Sequence, residues 1–265
     1  MKPFKNLFAA FLLVIFAFTF TSKAFAADKT VKVENNYAIK SEDKKSNPKM
    51  VNETVTVKKN PQKVVVYDLG ALDTITALGK EKNVVAIPKS QHGLNMLNKD
   101  MKKIYSAKKY QNAGSLFEPD FETIAKLQPD LIIISGRSAT SKNIEELKKA
   151  APKAAIVYGS ASMDANLMTG VKEKAITFGK IFGKEKKAKA YNKELDQSLK
   201  KLKTKVNHLK NPSALFVIAN SGELLSQSPK GRFGWIFKEL GFKAVNEGDK
   251  VSTHGSPVSY EYISE

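Results

Sequence analysis

Residues 128–137 read Gln-Pro-Asp-Leu-Ile-Ile-Ile-Ser-Gly-Arg. Leu131 to Ile134 is an unbroken apolar run, entered through the Pro129-Asp130 turn and left through Gly136. A strand without polar alternation belongs in a parallel sheet covered on both faces. The flanking residues agree. Phe121, Ile124 and Leu127 mark the face of a helix that leads into the turn. Upstream, Thr54 to Val57, the Asn60-Pro61 turn and Val64 to Tyr67 read as strand, turn and strand. Asp68-Leu69-Gly70 ends the second of these, and Leu72, Ile75, Thr76 and Leu78 follow helical spacing to Gly79. Val84 to Ile87 is another short buried strand, stopped by Pro88. Strands alternating with helices place the chain in the α/β class.

The pattern changes after residue 170. Val171, Ala175, Phe178 and Phe182 lead to a break at Gly183. Beyond it Ala188, Tyr191, Leu195, Leu199, Leu202 and Val206 recur at steps of three or four, which predicts a helix over 184–207, about 36 Å long. Such a helix is either an amphipathic surface helix or a rigid spine between two lobes. Then the α/β pattern resumes: Ala214 to Ala219 as a strand and Phe233 to Leu240 as a helix, closed by Gly241 as Gly79 closes the first. Gly114-Ser-Leu-Phe-Glu-Pro-Asp-Phe-Glu-Thr-Ile also echoes in Gly255-Ser-Pro-Val-Ser-Tyr-Glu-Tyr-Ile. A Pro-Asp turn and strand follow the first copy, whereas Glu265 ends the second, so the second lobe is expected to be incomplete at its C-terminus. The expected divisions are a leader over 1–26, a flexible polar spacer over 27–50, an α/β lobe over 51–170, a linker-helix region over 171–207 and a partial α/β lobe over 208–265.

The 265 residues carry 44 lysines and arginines against 26 acids, a formal charge of +18. Only Arg137 and Arg232 are arginines, against 42 lysines. Nucleic-acid binders favour guanidinium forks, so the excess lysine reads as a solvated surface. Cysteine is absent, which excludes disulfides, thiolate sites and the acylated cysteine of a lipoprotein. Lys2 and Lys5, the apolar run Leu7 to Phe20 and Ala24-Phe25-Ala26 form a secretory signal pattern too short to span a bilayer. A periplasmic, untethered and monomeric mature protein is expected. There is no P-loop, G-x-G-x-x-G, G-x-S-x-G or H-E-x-x-H, so neither a nucleotide enzyme nor a hydrolase is expected.

These motifs occur together in one order: Val64-Val-Val-Tyr-Asp-Leu-Gly-Ala-Leu-Asp, Pro119-Asp-Phe-Glu, Gln128 to Arg137, the long helix, Gly231-Arg-Phe-Gly234 and Ser252-Thr-His-Gly-Ser256. In that order, over residues 50–265, the chain resembles the periplasmic binding proteins of iron–siderophore ABC importers, in particular the catecholate (petrobactin/enterobactin-type) binders. The resemblance implies a two-lobed α/β fold joined by one long helix, and no catalytic activity. It implies no intrinsic cofactor, a ferric catecholate as ligand and a membrane permease as partner. Haem, a hydroxamate siderophore or cobalamin stand as the alternative cargoes.

Arg137 follows a strand at its carboxyl end, where open α/β sheets bind ligands. Arg232 lies in a comparable loop of the second half. A planar five-donor fork suits a polyoxygenated anion, and the resemblance implies that both arginines bind catecholate oxygens. It also implies that His254 completes the coordination of Fe³⁺ when a tetradentate siderophore leaves part of the octahedral shell open. The tyrosine ligand and third arginine of the family have no counterpart in these residues. Glu122 and Glu261 hold matching places in the echoed segments. Each reads as a helix-start acid facing the dipole, and the resemblance adds docking to permease arginines. Tyr67, Asp68 and Leu69 border the cleft, with Asp68 expected as a helix cap. Phe233 and Trp235 are expected to pack the following helix, and His92 and His208 to face solvent.

Overall fold

In a computed structural model of the protein, the described residues are 29–39, 47–162, 166–246, 252 and 254–264. The leader expected over 1–26 lies outside them. The chain enters through β1 (Thr30–Ile39) and β2 (Lys49–Lys58), paired antiparallel with Thr30 opposite Lys58. Within the flexible spacer expected over 27–50, residues 30–39 and 49–50 are instead strand. Val31, Val33, Tyr37 and Ile39 alternate along β1, and Val33 and Tyr37 are buried. The period is two, hidden among polar residues.

The central unit runs β3 (Val64–Val66), α1 (Leu69–Ala77), β4 (Val84–Ile87), α2 (Lys99–Tyr105), β5 (Gln111–Asn112), α3 (Phe121–Leu127), β6 (Leu131–Ile134), α4 (Ser141–Ala150) and β7 (Ala155–Tyr158). Its five strands are all parallel, in the order β5-β4-β3-β6-β7. Both faces of this sheet are covered, as the unbroken apolar runs require. Val64, Val66, Leu131 and Ile133 share one core with Leu72 and Ile75 of α1. Val65, Tyr67, Ile132 and Ile134 share another with Ile124 of α3 and Ile144 and Leu147 of α4. Each such side chain, taken fully from water, contributes about 1.5–3 kcal/mol. The order turns back at β3 and β6: successive strands leave β3 towards β5, then return beside β3 and proceed to β7. That reversal is the switch point outside which open α/β sheets form a crevice.

Two antiparallel-neighbour helices follow, α5 (Leu167–Phe182) and α6 (Glu185–Asn207). Gly183 joins them at φ 63°, a left-handed conformation that glycine adopts without strain. The region expected as a linker over 171–207 holds two helices, the greater part of α5 and all of α6. Phe178, Ile181 and Phe182 of α5 are buried in the core that contains β3 and α1, so α5 belongs to the first unit. At 23 residues α6 is about 34 Å long. Gly179 and Ala188 let the helices approach: a Cβ on Gly179 would meet the Ala188 Cβ at 2.6 Å.

The remaining elements are β8 (Ser213–Ala214), β9 (Val217–Asn220), β10 (Glu223–Ser226), α7 (Trp235–Leu240), β11 (Lys243–Ala244), β12 (Ser256–Val258) and α8 (Tyr260–Ser264). The single strand expected over Ala214 to Ala219 is two. β8 pairs in parallel with β11, whereas β9 pairs antiparallel with β10, which also carries β12. Different partners pull the two halves into different sheets. Helix α7 packs on α6 and ends at Gly241 with φ 83°. The echoed segments share a device as well. Gly114 and Gly255 have φ of 96° and 89°, and the helices that follow are capped by Asp120, accepting from Thr123 N, and Ser259, accepting from Tyr262 N. Among the described residues no helix is long and apolar enough to cross a membrane.

Candidate functional site

The carboxyl ends of β3 and β6 present Asp68 and the turn Ser135 to Ser138. Asp68 caps α1: its Oδ1 accepts from Ala71 N at 2.7 Å, and its Oδ2 from the Ser160 hydroxyl at 2.6 Å. The carboxylate is therefore committed, as the helix-cap reading expected. Tyr67 departs from expectation. It is wholly buried and its hydroxyl donates to Ala113 O at 2.8 Å, so it supports the floor and does not border the crevice. Burial drives its phenol far above the ordinary value, with the Asp120 charge adding to it.

Arg137 stands on the turn after β6. The Ser135 hydroxyl accepts its backbone N–H at 3.2 Å, and Ser138 folds back to bond Ser135. The residue is exposed, and among the described residues nothing pairs with its guanidinium. It shares a hollow of about 170 Å³ with Gln91, Met96, Ser115, Leu116 and Phe117. A guanidinium in this position keeps its planar fork of donors turned to solvent, a geometry chemically suited to an oxyanion.

Arg232 lies between the carboxyl end of β10 and the start of α7. Its guanidinium sits over the Phe233 ring, 4.5 Å from the centroid, and that ring stacks on Phe216 at 4.3 Å. Phe233 thus holds Arg232 from below. It precedes α7, which begins at Trp235, and does not form part of that helix. His254 is exposed and stands just before β12. Ser226 of β10 pairs with Ser256 of β12, so Arg232 and His254 leave the same end of the three-stranded sheet. Gln227 ties them further: its side-chain amide donates to His254 O at 3.0 Å. Gly255 is needed there, since a Cβ would run into the Gln227 side chain.

Arg232 and His254 thus lie in loops that leave the same end of one sheet, and Arg137 in the turn after a strand of another. Gln227, Phe117 and Met96 were not singled out from the sequence. A glutamine directly after a strand and two apolar residues in polar loops carry no motif. Glu122 is exposed and paired with Lys126 at 2.6 Å, while Glu261 is exposed on α8. The Ser259 hydroxyl and the α8 backbone hold the Glu261 carboxyl below the usual carboxylate range. His92 and His208 are exposed, as expected. Among the described residues no cluster of three or more His, Cys, Asp or Glu could hold a metal ion by itself.

Residues 64–265 match the model of the periplasmic binding protein family. The chain belongs to that family. Petrobactin-binding protein YclQ of Bacillus subtilis is 41% identical over 208 residues, covering 78% of this chain and 62% of YclQ. The chain therefore spans about three fifths of the length of the curated relatives it matches. The crystal structure of YclQ superposes with a TM-score of 0.72 at 37% identity, covering 89% of this chain and 73% of that one. The periplasmic catecholate-siderophore binding protein VctP of Vibrio cholerae gives 0.69 at 31% identity, covering 88% and 74%. The α/β fold is that of the family. Its members named here are solute-binding proteins.

Proposed function

We propose that this protein captures an anionic ferric catecholate siderophore outside the cytoplasm and delivers it to an ABC import permease, without catalysing a reaction. The observation that carries this reading is the unpaired Arg137 guanidinium at the switch point of the parallel sheet, in a chain 41% identical to a petrobactin-binding protein. Arg137 and Arg232 meet the catecholate oxygens, and Fe³⁺ arrives as cargo inside its chelate. His254 serves as a ligand to the iron of tetradentate complexes. Glu122 and Glu261, each two residues beyond a helix cap and both in water, meet basic residues of the permease. Export runs through the N-terminal leader, with removal after Ala26.

Titration of Trp235 fluorescence with ferric catecholates, ferrioxamine and haem tests the reading. Saturable quenching by the catecholates alone is expected. Arg137→Ala and Arg232→Ala each remove a charge-assisted hydrogen bond, about 1.5–3 kcal/mol, and weaken binding by about 10- to 150-fold. His254→Ala weakens tetradentate complexes and leaves hexadentate ones unchanged. Equal quenching by all three cargoes, or unchanged affinity in both arginine variants, overturns it.

A further inference from the structure

The hollow beside Arg137 has an unusual wall. Met96 and Phe117 are each 53% exposed, large apolar side chains left in water at the mouth of the same recess. Phe117 is not free to fold away. The Ser115 hydroxyl accepts from the amides of Phe117 and Glu118 at 3.2 and 3.0 Å, and Ser115 N donates to Glu118 O at 2.9 Å. Asn143 is buried and donates through its amide to Phe117 O at 2.8 Å and to Ser138 O at 3.1 Å. One side chain thus staples the backbone of the Phe117 loop to that of the turn carrying Arg137.

Size decides what such a recess can hold. A cavity of about 150 Å³ is enough to admit benzene, and this one measures about 170 Å³. That volume matches a single aromatic ring, with the rest of a chelate lying outside the recess. We infer that the recess is a ring-sized subsite that takes one dihydroxyphenyl ring of the ligand against Phe117, Leu116 and Met96, with Arg137 at its phenolate oxygens. Phe117 is then the residue that selects aromatic over purely carboxylate iron chelates. An offset or edge-to-face ring pair supplies affinity that citrate cannot use, whereas Arg137 serves both kinds of anion. The inference rests on the proposed siderophore-binding function and names the chemistry of one part of that site.

Calorimetric titration of the whole protein with the ferric complex of 3,4-dihydroxybenzoate and with ferric citrate tests it. Phe117→Ala is expected to weaken the aromatic complex about tenfold and to leave citrate within twofold. Phe117→Tyr keeps a ring and is expected to restore the aromatic affinity to within about threefold. Phe117 is exposed, so unfolding midpoints should match the wild type. If wild-type protein binds ferric catecholates but Phe117→Ala leaves the ratio of the two affinities unchanged, the subsite is wrong and the function stands. If wild-type protein binds no ferric catecholate, the function itself falls and the subsite with it.

Discussion

Asn35 closes the open edge of the parallel sheet, and its replacement measures what that closure contributes. Among the described residues strand β7 pairs only with β6, so its outer edge would present free backbone groups. Asn35 is 1% exposed and meets that edge as a neighbouring peptide would. Its Oδ1 accepts from Tyr158 N at 2.7 Å, and its Nδ2 donates to Ile156 O at 3.3 Å and to Glu53 Oε1 at 3.0 Å. Asn35→Leu keeps the volume and leaves the Tyr158 N–H and the Ile156 carbonyl without partners. Each orphaned group costs about 1–3 kcal/mol. The Glu53 carboxylate lies in partly wet surroundings and adds little. A total of about 2–6 kcal/mol follows. With a urea slope of about 2 kcal/mol/M, the midpoint followed by far-ultraviolet circular dichroism should fall by about 1–3 M. A fall below about 0.25 M would mean that water replaces the amide, and the edge-closing role would be refuted.

Three other outcomes follow from packing and charge. Gly179→Ala gains about 0.5–1 kcal/mol of helix propensity, but its methyl group meets Ala188 at 2.6 Å. Overpacking of about 1–3 kcal/mol outweighs the gain, so thermal scans should show a lower Tm. Burial pushes the Asp130 carboxyl up, but the amides of Gln62 and Lys63 and the Lys58 ammonium outweigh it and hold the carboxyl below its ordinary range. Its contribution is therefore full above the unfolded value, near pH 4, and is lost as pH falls through the lower folded value. The stability gap between wild type and Asp130→Asn should be largest at pH 7 and close in acid, as read from Tm across a pH series. Glu122→Ala combined with Glu261→Ala should leave ferric-catecholate affinity unchanged and lower ligand-stimulated permease ATPase activity in proteoliposomes.

Much of this was visible in the residue order because two signals are strong. Strands buried on both faces must be apolar throughout, so β6 and β4 stand where Leu131 to Ile134 and Val84 to Ile87 predict. Glycine in the left-handed region marks where helices stop, and Gly79, Gly183 and Gly241 all have positive φ. Helix α4 was not anticipated because its buried stripe is thin, with Ile144 and Leu147 its large apolar residues. Strand β1 was masked by lysines and by a polar residue, Asn35, at a core position. In the candidate site the arginines drew notice through rarity and through loops at strand ends. Gln227 and Asn143 did not, since an amide acquires its role from partners 26 or 27 residues away, and nothing local encodes them.

The hairpin of β1 and β2 also has a consequence for timing. Asn35 is made early in synthesis, yet the backbone groups it satisfies lie 121 and 123 positions later. The opening segment must therefore wait, unsatisfied, until most of the first sheet exists, and such distant closures are slow. A shortened version starting at Val64, where the family match begins, would assemble without that wait. It would carry a bare strand edge of the kind through which sheets stick to one another.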